Sequence, residues 1–196
     1  STWGEFTRIH ANSIVAADFL TKEVWTLAGK FTAYILFFIH IGTRKVHLGG
    51  VTFSPDGEWM AQRARNLAIT LPGLYAEELP RFLIHDNDTK FTKKFDAILR
   101  SSGMKRVKIP SDAPNCNAHA EAWVGSLKRE CLHHFTCFGL RHLEHLIREY
   151  LRFYNLHRPH QGVGNRPLER QRQGKGRVRK RTYLGGLLNH YYREAG

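Results

Sequence analysis

Two apolar stretches joined by a short connection constrain this chain more than any other feature. Residues 33–41 and 45–53 are both rich in Ile, Val and Phe, and Gly42-Thr43 lies between them. So short a connection joins neighbouring antiparallel strands. Residues 13–20 form a third short apolar run, broken by Asp18 alone. Asp56-Gly57-Glu58 then opens a helical pattern that runs to about Leu71, where Pro72-Gly73 closes it. Residues 82–85 read as a strand, 92–102 as a helix stopped by Gly103, and 104–109 as a strand ended by Pro110. Two long helical patterns follow, 115–133 and 140–155. In the second, Leu143, Leu146, Ile147, Tyr150, Leu151 and Tyr154 recur at helical spacing and predict a buried stripe. Three strands, then helix, strand, helix, strand, helix, helix is the order of a mixed α/β layer fold. Its leading meander is expected to be antiparallel, and its later strands to be linked by helical crossovers.

A chain of 196 residues with 42% hydrophobic residues can bury a core, which excludes wholesale disorder. The longest apolar run, 33–39, is far short of a membrane span, and no basic-then-apolar signal segment opens the chain. Cys116, Cys131 and Cys137 are odd in number and lack C-x-x-C spacing, so a reducing compartment is expected rather than a disulfide framework. Cys131, His133, His134 and Cys137 crowd together but straddle a helix end without finger spacing, and structural zinc is not expected. Trp3, Trp25, Trp59 and Trp123 read as core or interface aromatics.

Charge points to the partner. Thirty Lys and Arg against 17 Asp and Glu leave +13, with a pI near 10.0. Residues 1–157 hold 20 basic and 15 acidic side chains; residues 158–196 hold 10 and 2. The chain therefore divides into a body, 1–157, and a basic arm with a short C-terminal amphipathic segment, 158–196. Arg166, Arg170, Arg172, Lys175, Arg177, Arg179, Lys180 and Arg181 face Glu169 alone, and interspersed glycines oppose a helix there. An extended arm of this kind suits phosphates, so nucleic acid is the expected partner. Beyond it, Leu184, Leu187, Leu188, Tyr191 and Tyr192 carry the spacing of a short amphipathic helix.

Three carboxylates occupy unusual places. Asp18 interrupts a strand that otherwise asks to be buried, which is costly unless the residue lies at a sheet end, is paired or binds a cation. Asp86 sits where the strand 82–85 runs out, and strand ends are where ligand sites of α/β sheets gather. Glu121 lies near the start of a helix. Converging carboxylates would suit Mg²⁺, a hard cation that takes oxygen ligands. Two such ions about 3.5–4 Å apart can clamp the attacking and leaving oxygens of a phosphodiester displacement. On spacing alone the same residues serve equally as a turn cap, an Asx turn and a first-turn helix acid.

At these residues the chain resembles the integrase core domain of the D-D-E superfamily, which includes retroviral integrases and, more similar here, bacterial insertion-sequence transposases. The likeness rests on residues 17–21 (ADFLT), 37–39 with 42–48 (FFI and GTRKVHL), 82–91 (FLIHDNDTKF), 113–121 (APNCNAHAE) continuing to Cys131, and 154–162 (YNLHRPHQG). The resemblance implies a ribonuclease H-like mixed five-stranded sheet flanked by helices. It implies that Asp18, Asp86 and Glu121 are the catalytic triad and hold two Mg²⁺ or Mn²⁺ ions. Thirty-four residues separate Asp86 from Glu121, close to the family's spacing. The implied activity is cleavage of DNA phosphodiesters and joining of 3′-OH ends to target DNA. A hydrolytic nuclease of the same fold, or a remnant that binds DNA without chemistry, are the alternatives.

Lys128, seven residues after Glu121 and on its helical face, is the first candidate for a phosphate ligand. Glu130 falls half a turn away and is not expected at the metal. Asn87 and Asp88 are candidates for orienting Asp86, and Arg158 for a phosphate contact where body meets arm. The resemblance further implies a homodimer or higher oligomer on paired DNA ends, in the cytoplasm of a bacterium at the nucleoid. It implies no membrane, and recognition of transposon ends by a separate or missing N-terminal helix-turn-helix region.

Overall fold

The computed structural model describes residues 3–74, 80–86, 88–108, 118–169 and 174–195. Its core is a five-stranded sheet of order β3-β2-β1-β4-β5. The strands are β1 (Ile14–Thr26), β2 (Gly29–His40), β3 (Val46–Thr52), β4 (Phe82–His85) and β5 (Lys105–Lys108). β1, β2 and β3 pair antiparallel, whereas β4 and β5 run parallel to β1. This is the expected mixed sheet, with its meander first and its crossovers after.

Alternation along the strands sorts the side chains into two layers. Ile14, Ala16, Ile35, Phe37 and Ile39 pack on one face against α4 (Ala118–Glu130) and α5 (Gly139–Leu156). Val15, Ala17, Leu36, Phe38 and Leu83 pack on the other against α2 (Gly57–Leu74) and α3 (Lys93–Ser101). β2 is covered on both faces, which is why its sequence is a continuous apolar run. The stripe predicted for α5 is its buried face, residue for residue. Gly49 and Gly50 sit at a β-bulge of β3, and a Cβ on either would press into Leu36 and Phe38 or into Trp59.

Four expectations are corrected. β1 and β2 run past the apolar runs into a hairpin arm, because cross-strand pairing with Glu23–Lys30 at 2.7 Å supports residues too polar to read as core. A helix, α1 (Trp3–His10), precedes β1, held where Phe6 meets Phe82 edge-on at 5.4 Å. α2 continues through Pro72 to Leu74, since a proline in the last turn removes few backbone bonds. The C-terminal amphipathic helix does not form: Val178–Tyr183 (β6) and Leu188–Arg193 (β7) pair as an antiparallel hairpin. Gly185 and Gly186, at φ 64° and 101°, make its turn and would break a helix there. This hairpin docks on the end of α5 through His157, whose Nε2 hydrogen-bonds the Tyr183 hydroxyl at 2.7 Å.

Candidate active site

The parallel pairing of β1 with β4 sets the geometry. Ile14 stands opposite Phe82 and Ala16 opposite Ile84. Two residues beyond that pairing, Asp18 continues β1, whereas Asp86 follows the last residue of β4, His85. Asp18 shares by alternation the face of Ala16, which α4 covers with Ala120, Trp123 and Leu127. Glu121, in the first turn of α4, is exposed on one flank of that buried stripe. The far end of α4 is tied to β1, where Lys22 Nζ donates to Leu132 O at 2.8 Å.

Among the described residues, no three His, Cys, Asp or Glu side chains lie close enough together to hold a metal ion. The two aspartates are turned toward their own backbone. Asp18 Oδ1 accepts from the Phe19 N–H at 2.7 Å, and Asp86 Oδ1 from the Asp88 N–H at 3.1 Å. The segment leading into α4, residues 109–117, lies outside the described residues, as does Asn87.

Asp88 is engaged by Lys90, whose N–H and Nζ donate to it at 2.9 and 2.6 Å. Burial pushes this carboxyl up, but the two Lys90 contacts prevail and hold it below its ordinary value. Lys128 is exposed. Arg158 is not at a free surface. It grips Glu130 with Nη2 to Oε1 at 2.6 Å and Nε to Oε2 at 2.9 Å, and Tyr150 donates to the same carboxylate at 2.9 Å. Burial again raises Glu130, and its bonds to Arg158 and Tyr150 outweigh that and lower it. This agrees with the half-turn placement of Glu130 away from Glu121. The whole motif from Tyr154 to His160 is a clasp. Tyr154 stacks edge-on to Trp123 at 4.7 Å, Asn155 makes two hydrogen bonds to the Val46 backbone, and His160 hydrogen-bonds Tyr154 O at 2.9 Å. Of the arm, Arg166, Lys175, Arg177, Arg179, Lys180 and Arg181 are exposed, with Arg179 paired to Glu194 at 2.8 Å. Arg170 and Arg172 lie outside the described residues.

One residue beside the site carried no signal except its position before Asp86. His85 is 2% exposed and stacks on Phe91 at 4.2 Å. Its Nδ1 donates to Asp86 O at 2.6 Å and its Nε2 meets Asp96 Oδ1 at 2.9 Å, while Arg106 donates to Asp96 Oδ2 at 3.1 Å. This chain of contacts fixes the backbone of Asp86 from beneath.

Strand order, strand directions and helices on both faces define a ribonuclease H-like α/β core. The fold is that of integrase catalytic cores. The HTLV-2 integrase catalytic core domain in complex with magnesium matches in its trimeric form at TM-score 0.57 and 13% identity, over 79% of this chain and 93% of that one. Its dimeric form matches at TM-score 0.52 and 14% identity, over 74% and 86%. A chain of the simian T-cell lymphotropic virus intasome in complex with PP2A regulatory subunit B56 gamma matches at TM-score 0.61 and 10% identity, over 93% and 67%. Residues 102–167 match the integrase core domain family. No curated protein matches the sequence. No helix among the described residues is long and apolar enough to cross a membrane.

Proposed function

We propose that the chain is the catalytic core of a metal-dependent DNA strand transferase of the bacterial transposase branch, acting in the cytoplasm as a dimer or higher oligomer on DNA ends. The observation that supports this reading is the parallel pairing of β1 with β4, which sets side by side the strand that contains Asp18 and the strand that ends just before Asp86, on the sheet face covered by the helix bearing Glu121. Carboxylate oxygens are the donors a hard cation takes, and two from adjacent strand ends fit Mg²⁺ or Mn²⁺. Asp18, Asp86 and Glu121 would hold two such ions. When bound, they would supply activation of the attacking oxygen and stabilisation of the leaving oxygen at a DNA phosphorus. The protein's own part is positional. His85 and Asp96 hold the Asp86 backbone, and Trp123 seats α4, the helix that would carry Glu121 to the aspartates. Lys128, seven residues along the same face, would neutralise a DNA phosphate about 10 Å further on. Arg166, Arg170, Arg172, Lys175, Arg177, Arg179, Lys180 and Arg181 would hold the backbone of the same DNA, with a separate helix-turn-helix region reading the transposon ends.

The test is a labelled 3′-OH oligonucleotide incubated with plasmid and Mg²⁺ or Mn²⁺. Joined donor–target product supports transfer, and shortened donor alone supports hydrolysis. Glu121→Gln should remove at least 100-fold of either activity, and full activity in that variant would refute the assignment.

A further inference from the structure

A cavity of about 310 Å³ lies apart from the carboxylates, walled by Thr7, Arg8, Ile41, Arg44, Ile84 and His119. We propose that it binds a phosphodiester of the DNA strand, at a position beside the one that is cut. This rests on the reading of the chain as a DNA-acting core.

The chemistry of the walls is one-sided. Two guanidiniums, an imidazole and a hydroxyl converge, and among the described residues no carboxylate lines the cavity. Among the described residues, the ion pairs include neither Arg8 nor Arg44. Guanidinium forks bind phosphate oxygens in pairs, and the apolar sides of Ile41 and Ile84 suit the sugar or base attached to that phosphate.

Arg44 is held in place before any ligand arrives. It sits at φ 61°, and its N–H donates to His40 O at 2.7 Å. His40, 3% exposed, hydrogen-bonds Thr43 Oγ1 at 2.9 Å and Asn12 O at 2.8 Å, which pins the turn. Gly42 N–H donates to Ala11 O at 2.9 Å, joining that turn to the segment after α1. The Arg44 guanidinium lies against the bare backbone of Gly162, where a Cβ would collide with it. Two positions relate the cavity to the candidate active site. Ile84 is two residues before Asp86, about 7 Å along β4. His119 is two residues before Glu121 and so on the opposite flank of α4. A strand crossing the start of α4 would meet both sites without sharing a ligand between them.

The test is anisotropy of the full chain with a fluorescein-labelled 20-nucleotide single-stranded DNA in EDTA, across a salt series. Arg44→Asn keeps a residue that tolerates the left-handed conformation. It should weaken binding about 5–10-fold and flatten the slope of log K against log salt by about 0.7, the value of one single-strand phosphate contact. Gly162→Ala leaves the net charge unchanged but displaces the guanidinium, and should weaken binding at least 3-fold. Arg8→Gln, on the exposed side of α1, should act in the same sense, and circular dichroism confirms that each variant is folded. Lys30→Gln, an equal charge change at the hairpin tip, should stay within 2-fold of the parent. Unchanged affinity and slope in the Arg44, Gly162 and Arg8 variants would overturn the proposal. Inorganic phosphate that raises the melting temperature of the parent but not of Arg44→Asn, with DNA binding equal in both, would also overturn it, by showing a small-anion site. Binding is read without metal, so the two readings fail separately. Insensitive binding with cleavage lost in Glu121→Gln removes only this cavity, and sensitive binding with cleavage retained in Glu121→Gln removes only the catalytic assignment.

Discussion

Replacing Arg158 with Met separates a structural arginine from a DNA-binding one. The guanidinium makes two short bonds to Glu130, 2.6 and 2.9 Å, across a pair whose side chains are 24% and 27% exposed. A fully exposed pair is worth at most about 1 kcal/mol. Breaking a fully buried one costs about 3–5 kcal/mol, because the remaining charge is stranded. A pair this far from both limits should lie between them, at about 2 kcal/mol. For a chain of this size that is a fall of about 4–8 °C in melting temperature. Methionine keeps most of the aliphatic bulk, so the loss reports the ion pair and not a cavity. Glu130→Gln in the same chain should restore part of the loss, because no unpaired carboxylate then remains beside Tyr150. The pH dependence follows from the lowered Glu130 pKa. Its contribution is complete above the unfolded carboxylate value of about 4.3 and fades as pH falls through the lower folded value. The parent and Arg158→Met curves should therefore converge in acid below about pH 4. Thermal denaturation by circular dichroism measures the stability, and DNA anisotropy the binding. A melting temperature within 1 °C of the parent, joined to a tenfold loss of DNA affinity, would refute the structural reading of Arg158.

Trp123→Ala should destabilise the fold by about 3–5 kcal/mol, since this 1% exposed ring packs against Phe37, Tyr150 and Tyr154, and urea unfolding will show it. The β6–β7 hairpin should loosen as pH falls. Burial, with His190 and Arg181 nearby, lowers His157 to about 4, so folding with neutral His157 gives full stability above about 6.5 and loses it toward 4. Limited proteolysis should cut within residues 178–193 faster at pH 5 than at pH 7.5, and equal rates would contradict this. Lys128→Gln should flatten the salt dependence of DNA binding by about one phosphate contact without changing the melting temperature, read by the same anisotropy series.

What could be read in the sequence was whatever a local pattern enforces. β2 and α5 were legible because burial on both faces, or on one helical stripe, leaves no freedom in residue type. The hairpin arm of β1 and β2 was not, because Thr21, Lys22 and Glu23 become strand only through the partner they pair with. The C-terminal leucines and tyrosines satisfied a helical spacing and still formed a ribbon, since two left-handed glycines decide a turn more firmly than spacing decides a helix. The candidate site divides along the same line. Asp18 drew notice because a carboxylate in an apolar run is costly, yet the strand that leads to Asp86 lies beside its own only through parallel pairing across 68 positions. Arg8, Arg44 and His119 gave no sign of belonging together, because a turn pinned by the buried ring of His40 gathers them. The motif from Tyr154 to Arg158 has a structural side that its residue types do not announce. Its arginine reads as a candidate phosphate contact, and the fold engages it with Glu130 on α4 while Asn155 closes on β3. That use still bears on chemistry. Arg158 anchors the flank of α4 opposite Glu121 through Glu130, and so helps fix where the third carboxylate of the proposed site can stand.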